Sequence, residues 1–286
     1  MLTTAKRLAA NATVRLAVLV ILLALLAWVL FPLLWMLSCS FKTAEELYEV
    51  PPDLLPRNLA NTENYRLLLT TTRFGRYYLN TLMVAFGASF ASMILAAPAA
   101  YAATRFRFWL YRLFPAVGLV AYMLPRILLV ISLHGMFRSL GMLDSLFSVG
   151  VLQVTFSLPY ALWLLRSYFA SIPLELEEAA WVDGASRAQG LRKIVMPLAT
   201  PGVIATFVFL FIVAWNDYLY SLVLISSDTK KTLTLGVVTG LMTRTAVLSW
   251  GMLMAAGVLM TLPIVAMFMV IQRHLVAGFT AGSVKG

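Results

Sequence analysis

The sequence predicts an all-α, polytopic membrane protein, and three observations carry that prediction. Hydrophobic residues make up 61% of the 286-residue chain and charged residues only 12%, about half the charge of a soluble domain of this size. The apolar residues gather in runs of roughly 20, long enough for a helix to cross the ~30 Å hydrocarbon core, and do not alternate over the ~10-residue segments of a membrane barrel. The mean hydropathy is +0.87, and no polar stretch is long enough to fold alone. One membrane domain over residues 1–286 is therefore expected.

Six spans follow in order. The first covers residues 16–37, behind Lys6, Arg7 and Arg15, and Pro32 kinks or ends it. It exceeds the 7–15-residue apolar core of a cleaved signal peptide, so it is read as retained. Residues 41–76 form the longest polar segment, interrupted by Pro51, Pro52 and Pro56, with a short amphipathic helix over 61–69. Span two, 77–103, is rich in glycine, alanine and serine, which suits close helix packing. Span three covers 113–133, span four 146–165, span five 198–225 and span six 250–271. A polar loop over 134–145 separates spans three and four, and residues 233–241 dip into the interface. Prolines 32, 98, 115, 125, 159 and 263 lie within spans, and broken helices of that kind line cavities in transporters.

The net charge of +10 belongs to membrane flanks that meet anionic headgroups, not to a nucleic-acid interface, because the basic residues form no continuous stripe. Lys and Arg totals are nearly balanced between the two sides. The compact loop of Arg105, Arg107 and Arg112 is nearly free of acid, and it places both termini and the 173–197 loop in the cytoplasm. Cys39 is the only cysteine, which rules out an intrachain disulfide and a cysteine metal cluster. His134 and His274 have no metal-ligand spacing, and no nucleotide-binding loop, zinc-protease motif or nucleophile–base pair is present. No metal site, no bound cofactor and no catalytic residue is expected in this chain.

Residues 173–197 organise the second half. Seven charged side chains fall between Glu175 and Lys193, with an apolar span on either side. Pro173 suits a first helical position. Residues 174–182 then form a helix with Glu175, Glu177 and Glu178 at its positive end. Gly184 supplies a left-handed terminator. Ser186 caps a second helix, to which Leu191, Ile194 and Val195 give an apolar side; Gly190 is unfavourable inside it by about 1 kcal/mol relative to Ala. Ala179, Ala180 and Ala185 leave room for another surface to approach.

The pattern Glu178, Ala179, Ala180, then Asp183, Gly184, Ala185, then Ile194 and Pro197 resembles the EAA loop of binding-protein-dependent ABC importer permeases. The run from Trp215 through Asn216 and Asp217 to Tyr218 resembles span five of the carbohydrate-uptake branch. The tail from Gln272 to Gly286, together with Phe31, Pro32 and Ser40 to Lys42, is similar to the maltose-type permease subunit with the short N-terminus. The resemblance implies a type I permease fold in which residues 173–197 are a cytoplasmic coupling loop. It also implies a heterodimer with a second permease subunit, two ATPase subunits that carry ATP and magnesium, an extracytoplasmic substrate-binding protein, and a bacterial-type inner membrane. By the same analogy the tail reaches the ATPases. The expected function is ATP-driven import of a sugar or related polyol by alternating access.

Asn216, Asp217, Tyr218, Tyr220 and Arg126 are the candidate pathway residues. Aromatic rings stack on sugar faces, and Asn and Asp pair with hydroxyls. Arg126 and Asp217 are charges within spans, where each costs at least about 2.5–3.5 kcal/mol, so they face a cavity or a partner. Two alternatives stay open: an ABC importer for a peptide, amino acid or phosphate, and an ion-coupled secondary transporter using Asp217.

Overall fold

The computed structural model describes residues 2–106, 123, 125–241 and 250–282, and for 2–13, 241 and 273–282 the backbone alone. Two compact units are distinguished, Met1–Thr72 with Thr245–Thr261 and Arg73–Arg244 with Leu262–Gly286.

In the first unit, α1 (Leu2–Ser40) runs unbroken through Pro32. Between Val14 and Leu34 every side chain is exposed, as fits a helix surrounded by lipid. Beyond its end comes α2 (Ala44–Tyr48), where the Oγ1 of Thr43 accepts the Glu46 N–H at 3.3 Å. The short amphipathic helix appears as α3 (Glu63–Thr71), two residues later than expected. Asn64 ties it back, donating to the carbonyls of Ser40 and Lys42 at 3.0 and 2.9 Å. Lys42 is itself buried, donates to the Asp53 carbonyl and lies over the Trp35 ring.

The second unit is built around α4 (Phe74–Arg105) and α6 (Leu146–Ala170), with α5 (Arg126–Ser139) and α9 (Thr200–Trp215). Ala96, Ala97 and Ala100 of α4 pack against Ala161, Leu165 and Phe169 of α6 and Leu210 of α9. Lipid tails are as apolar as leucine, so this core gains little from escaping water; its stability comes from close contact, which small residues permit. Gly202 is an instance, since a Cβ there would fall 2.1 Å from the Tyr168 ring. Past the break that follows α9 come α10 (Leu219–Leu224), a 3-10 turn (Asp228–Lys230) and α11 (Leu233–Gly236), which continues as a π turn (Val237–Leu241). The last helix, α12 (Trp250–Gly282), extends well beyond the expected span six.

Among the described residues, four helices are long and apolar enough to cross a membrane, or five if the bent pair Arg187–Leu198 and Thr200–Trp215 counts as one span. Span three lies largely outside the described residues, and the six-span architecture is consistent with what is described. Its described part, α5, corrects one expectation: residues 134–139 are helical, and the loop begins at Leu140. Arg107, Arg112, Pro115, Arg244 and residues 283–286 also lie outside the described residues, as do the side chains of Lys6, Arg7, Arg273 and His274.

The prolines do not break the spans as expected. Pro32, Pro98, Pro159 and Pro263 each sit inside a continuous helix, and Pro125 precedes α5 as its cap. Membrane helices tolerate such prolines. Span five is interrupted instead at 216–218, where no proline stands, and its 81° bend lies at Ala199, between Pro197 and Pro201.

Candidate functional site

The 173–197 loop folds as its local chemistry dictates. α7 (Glu175–Val182) opens on the Leu174 carbonyl, which accepts from Glu177 and Glu178 N–H groups at 2.9 and 3.0 Å. Pro173 lies outside the helix, two positions before its first residue rather than at it, and leaves three glutamates in the first turn. The C-terminus is a Schellman motif. Gly184 has φ +85°; its N–H donates to Trp181 O at 3.0 Å, and the Ala185 N–H donates to Ala180 O at 2.9 Å. Then α8 (Arg187–Gly190) begins with a capping box: Ser186 Oγ accepts from Gln189 N–H, and Gln189 Oε1 accepts from Ser186 N–H. The helix passes through a π turn (Leu191–Val195) and a final turn (Met196–Leu198), then bends by 81° into α9.

The loop has two faces. Glu178, Ala179, Asp183, Gly184 and Pro197 are exposed, and Ala180, Ala185 and Ile194 are half-exposed. Val182 is 87% exposed. The other face is fixed to α4. Glu177 is wholly buried; its Oε1 accepts from Arg105 Nε at 2.6 Å and its Oε2 from the Tyr101 hydroxyl at 2.6 Å. Arg105 donates again, to the carbonyl of Ile172 just past α6, at 3.0 Å. Gly190 closes this side, because a Cβ there would lie 3.3 Å from Trp181 Nε1 and 3.6 Å from Glu177 Oε2. The Arg187 guanidinium stacks over Trp181 at 4.4 Å and Phe106 at 5.2 Å.

The second candidate region is the break in span five. α9 stops because Asn216 and Asp217 turn their side chains on the backbone. Asn216 Nδ2 donates to Ile212 O at 2.8 Å. The Asp217 carboxylate accepts Tyr220 N–H at 3.3 Å, Ser221 N–H at 3.1 Å and the Ser221 hydroxyl at 2.9 Å, and so starts α10. Asn216 is exposed, while Asp217 and Tyr218 are half-buried. Tyr220 is almost fully buried and stacks on Phe156 at 5.4 Å, so it supports the wall behind the break. Arg126, in the first turn of α5, is close enough to act on Asp217 electrostatically. A separate groove of about 580 Å³ between α4 and α6 is lined by Met83, Gly87, Ala91, Phe147, Gly150 and neighbours, and includes none of residues 216–218.

A family model described as binding-protein-dependent transport system inner membrane component matches residues 92–280, a stretch holding the loop, its anchor on α4 and the broken span. The chain belongs to this family of transport-system inner membrane components.

Relatives within the family match over nearly full length. An inner membrane ABC transporter permease protein, YcjP of Escherichia coli (strain K12), is 38% identical over 90% of this chain and 91% of its own. The trehalose transport system permease protein SugB of Mycobacterium tuberculosis is 33% identical, covering 91% and 93%. The trehalose/maltose transport system permease protein MalG of Thermococcus litoralis is 33% identical, covering 90% and 92%. The fold is shared with a solved bacterial ABC transporter involved in the import of the acidic polysaccharide alginate, with a TM-score of 0.78 at 24% identity over 92% of this chain and 97% of that one.

As a transport-system membrane component, the chain carries three features whose roles the sequence did not reveal. Glu177 sits beside Glu178 yet faces the opposite way, and only its four-residue spacing to Trp181 marks the inward side. Gly190, unfavourable for a helix, lies where a Cβ would come tightly against Trp181 and touch Glu177. Asp144, in the α5–α6 loop, accepts from the N–H groups of Ser226 and Ser227, the Ser227 hydroxyl and the Lys230 ammonium, and thereby pins the segment after α10.

Proposed function

We propose that this chain is the membrane subunit through which an ATP-driven importer passes a sugar or related polyol by alternating access. The observation that carries the reading is the division of the 173–197 loop into an exposed small-residue face around Glu178, Ala179, Ala180, Asp183, Gly184 and Ala185 and a buried face held to α4. Such a loop is shaped to be gripped from outside and to move the helices behind it. In this reading it faces the cytoplasm, as do both termini, and docks on one of two ATPase subunits that bind ATP and magnesium. A second permease subunit completes the pathway, and an extracytoplasmic binding protein delivers the cargo. Ile194 and Pro197 set the angle at which the loop enters α9.

The break at 216–218 supports an exposed Asn216 amide and a half-buried Tyr218 ring as contacts for a hydroxylated cargo. Arg126 and Asp217 balance each other's charge near the path. Interrupted helices at membrane depth are tolerated where they border a cavity or are buried in protein. Sugar as cargo is favoured by relatives named for trehalose, maltose and diacetylchitobiose transport. An ion-coupled mechanism centred on Asp217 is disfavoured, because the carboxylate already accepts three hydrogen bonds that hold α10.

The test is uptake into vesicles carrying the assembled complex, with radiolabelled trehalose, maltose and diacetylchitobiose as probes. Uptake that requires ATP and the ATPase subunits and ignores a collapsed proton gradient supports the reading. Uptake driven by the gradient without ATP contradicts it.

A further inference from the structure

α4 joins two anchor points through one helix. At its C-terminal end, Arg105 and Tyr101 hold both carboxylate oxygens of Glu177, and Arg105 also reaches the Ile172 carbonyl. The ion pair is closed to solvent, with side-chain exposures of 7% for Arg105 and 0% for Glu177. Charge-assisted hydrogen bonds in such a setting are short, directional and hard to deform. At its N-terminal end, α4 holds the segment that follows α10. Tyr77 OH donates to Asp228 Oδ1 at 3.0 Å. Asn80 Nδ2 donates to the carbonyls of Thr229 and Lys231 at 3.0 and 2.9 Å. Thr81 Oγ1 accepts the Leu233 N–H at 2.6 Å. The 32 residues of α4 make a rod roughly 48 Å long, unbroken at Pro98, with Tyr77 and Gly236 packed so closely that a Cβ would lie 2.1 Å from the ring.

We infer that Glu177 is a positioning residue: through Arg105 and Tyr101 it fixes the loop to α4, and α4 carries loop displacement to the 228–233 segment at its far end. The inference rests on the reading that an ATPase moves the 173–197 loop. It adds which side chains transmit that movement and where it arrives. Glu175, exposed on the same helix, has no part in it. The geometry explains why the anchor is an ion pair within a largely apolar core. Apolar contacts are non-directional, whereas a carboxylate held at both oxygens fixes the orientation of the loop as well as its distance.

The experiment uses the full complex in vesicles, with Thr229, an exposed residue of the far segment, replaced by cysteine and labelled with an environment-sensitive fluorophore. The native Cys39 is buried. Fluorescence change on adding ATP with magnesium and the rate of ATP hydrolysis are read from the same sample. The unaltered anchor is expected to give an ATP-dependent signal. Glu177→Gln is expected to keep hydrolysis within about twofold and to lose the signal by about tenfold, the scale of one charged hydrogen bond. Tyr101→Phe, which removes one hydroxyl and leaves the ion pair, is expected to fall between them. Glu175→Gln, on the same helix but outside the docking face, is expected to leave the signal intact.

Loss of folded complex lowers signal and hydrolysis together and leaves their ratio unchanged; that outcome in both Glu177→Gln and Tyr101→Phe overturns the inference in favour of a merely structural anchor. A full signal in Glu177→Gln overturns it as well. So does a silent label in a complex that hydrolyses ATP with its anchor intact. A complex that binds no ATPase and hydrolyses no ATP removes the underlying reading, and this inference with it.

Discussion

The Nε of Arg105 donates to Oε1 of Glu177 at 2.6 Å, across 72 residues of sequence and out of reach of solvent. This contact turns a surface loop into part of the helical bundle. Breaking a buried pair from one side leaves a desolvated charge and costs about 3–5 kcal/mol. Arg105→Ala is therefore expected to lower the thermal unfolding temperature of the purified protein in detergent sharply. Replacing both Arg105 and Glu177 by Met is expected to cost less than replacing Arg105 alone. Circular dichroism melts of the single and double variants measure the difference.

Gly184 holds φ +85° in the terminator of α7, a conformation disfavoured for a residue with a Cβ. Gly184→Ala is expected to cost about 1 kcal/mol through strain alone, since nothing lies within 4 Å of the added methyl. Gly184→Asn, which tolerates the left-handed region, is expected to recover most of that loss. Thermal melts of both variants, with hydrogen exchange across 180–186 as the local readout, check the order.

Gly202 behaves differently. Its Cβ would meet the Tyr168 ring at 2.1 Å, so Gly202→Ala overpacks the contact between α9 and α6 and is expected to cost about 1–3 kcal/mol. Combining it with Tyr168→Ala is expected to be less harmful than the sum of the two changes. A double-mutant cycle on unfolding free energy decides this.

Asp144 supplies a pH dependence. Hydrogen bonds from the Ser227 hydroxyl and N–H, aided by Lys230 and the Ser226 N–H and opposed by partial burial, hold its carboxyl well below the ordinary 3.8. A depressed carboxyl stabilises the fold fully above its unfolded-state value, and the contribution drains away as pH falls through and below that value. Asp144→Asn is expected to be less stable than the native protein by about 1 kcal/mol at pH 7, with the gap narrowing steadily below about pH 4. Asp228 is also held low: its burial is outweighed by hydrogen bonds from Lys231 and Tyr77 and by the nearby charges of Lys231 and Arg73. The variant is therefore expected to keep some acid sensitivity of its own. Melting curves from pH 3 to pH 7 test the difference between the two proteins.

Much of the loop was legible from sequence because its signals are local. Gly184 and Ser186 each act through neighbours within about five residues, and both do in the structure what their chemistry predicts. Glu177 was not legible as an anchor. Three glutamates near a helix N-terminus are equivalent to the helix dipole, and only Arg105 and Tyr101, more than 70 residues away, distinguish one of them. Prolines pointed to broken spans where the helices run on through them, whereas the break at 216–218 arises from two polar side chains competing with the backbone. The small residues of span two pointed correctly to close packing, because the spacing between helix axes follows directly from side-chain size.

The most direct test of the account places a cysteine at Val182, on the exposed face of α7. In membranes containing the complex, with single cysteines placed in turn across the surface of the ATPase subunit, it is expected to form a cross-link to that subunit, and reagents confined to the extracytoplasmic side are expected to leave it unlabelled. Labelling from outside, together with no cross-link at any ATPase position, would contradict the claim that this loop is where the motor takes hold.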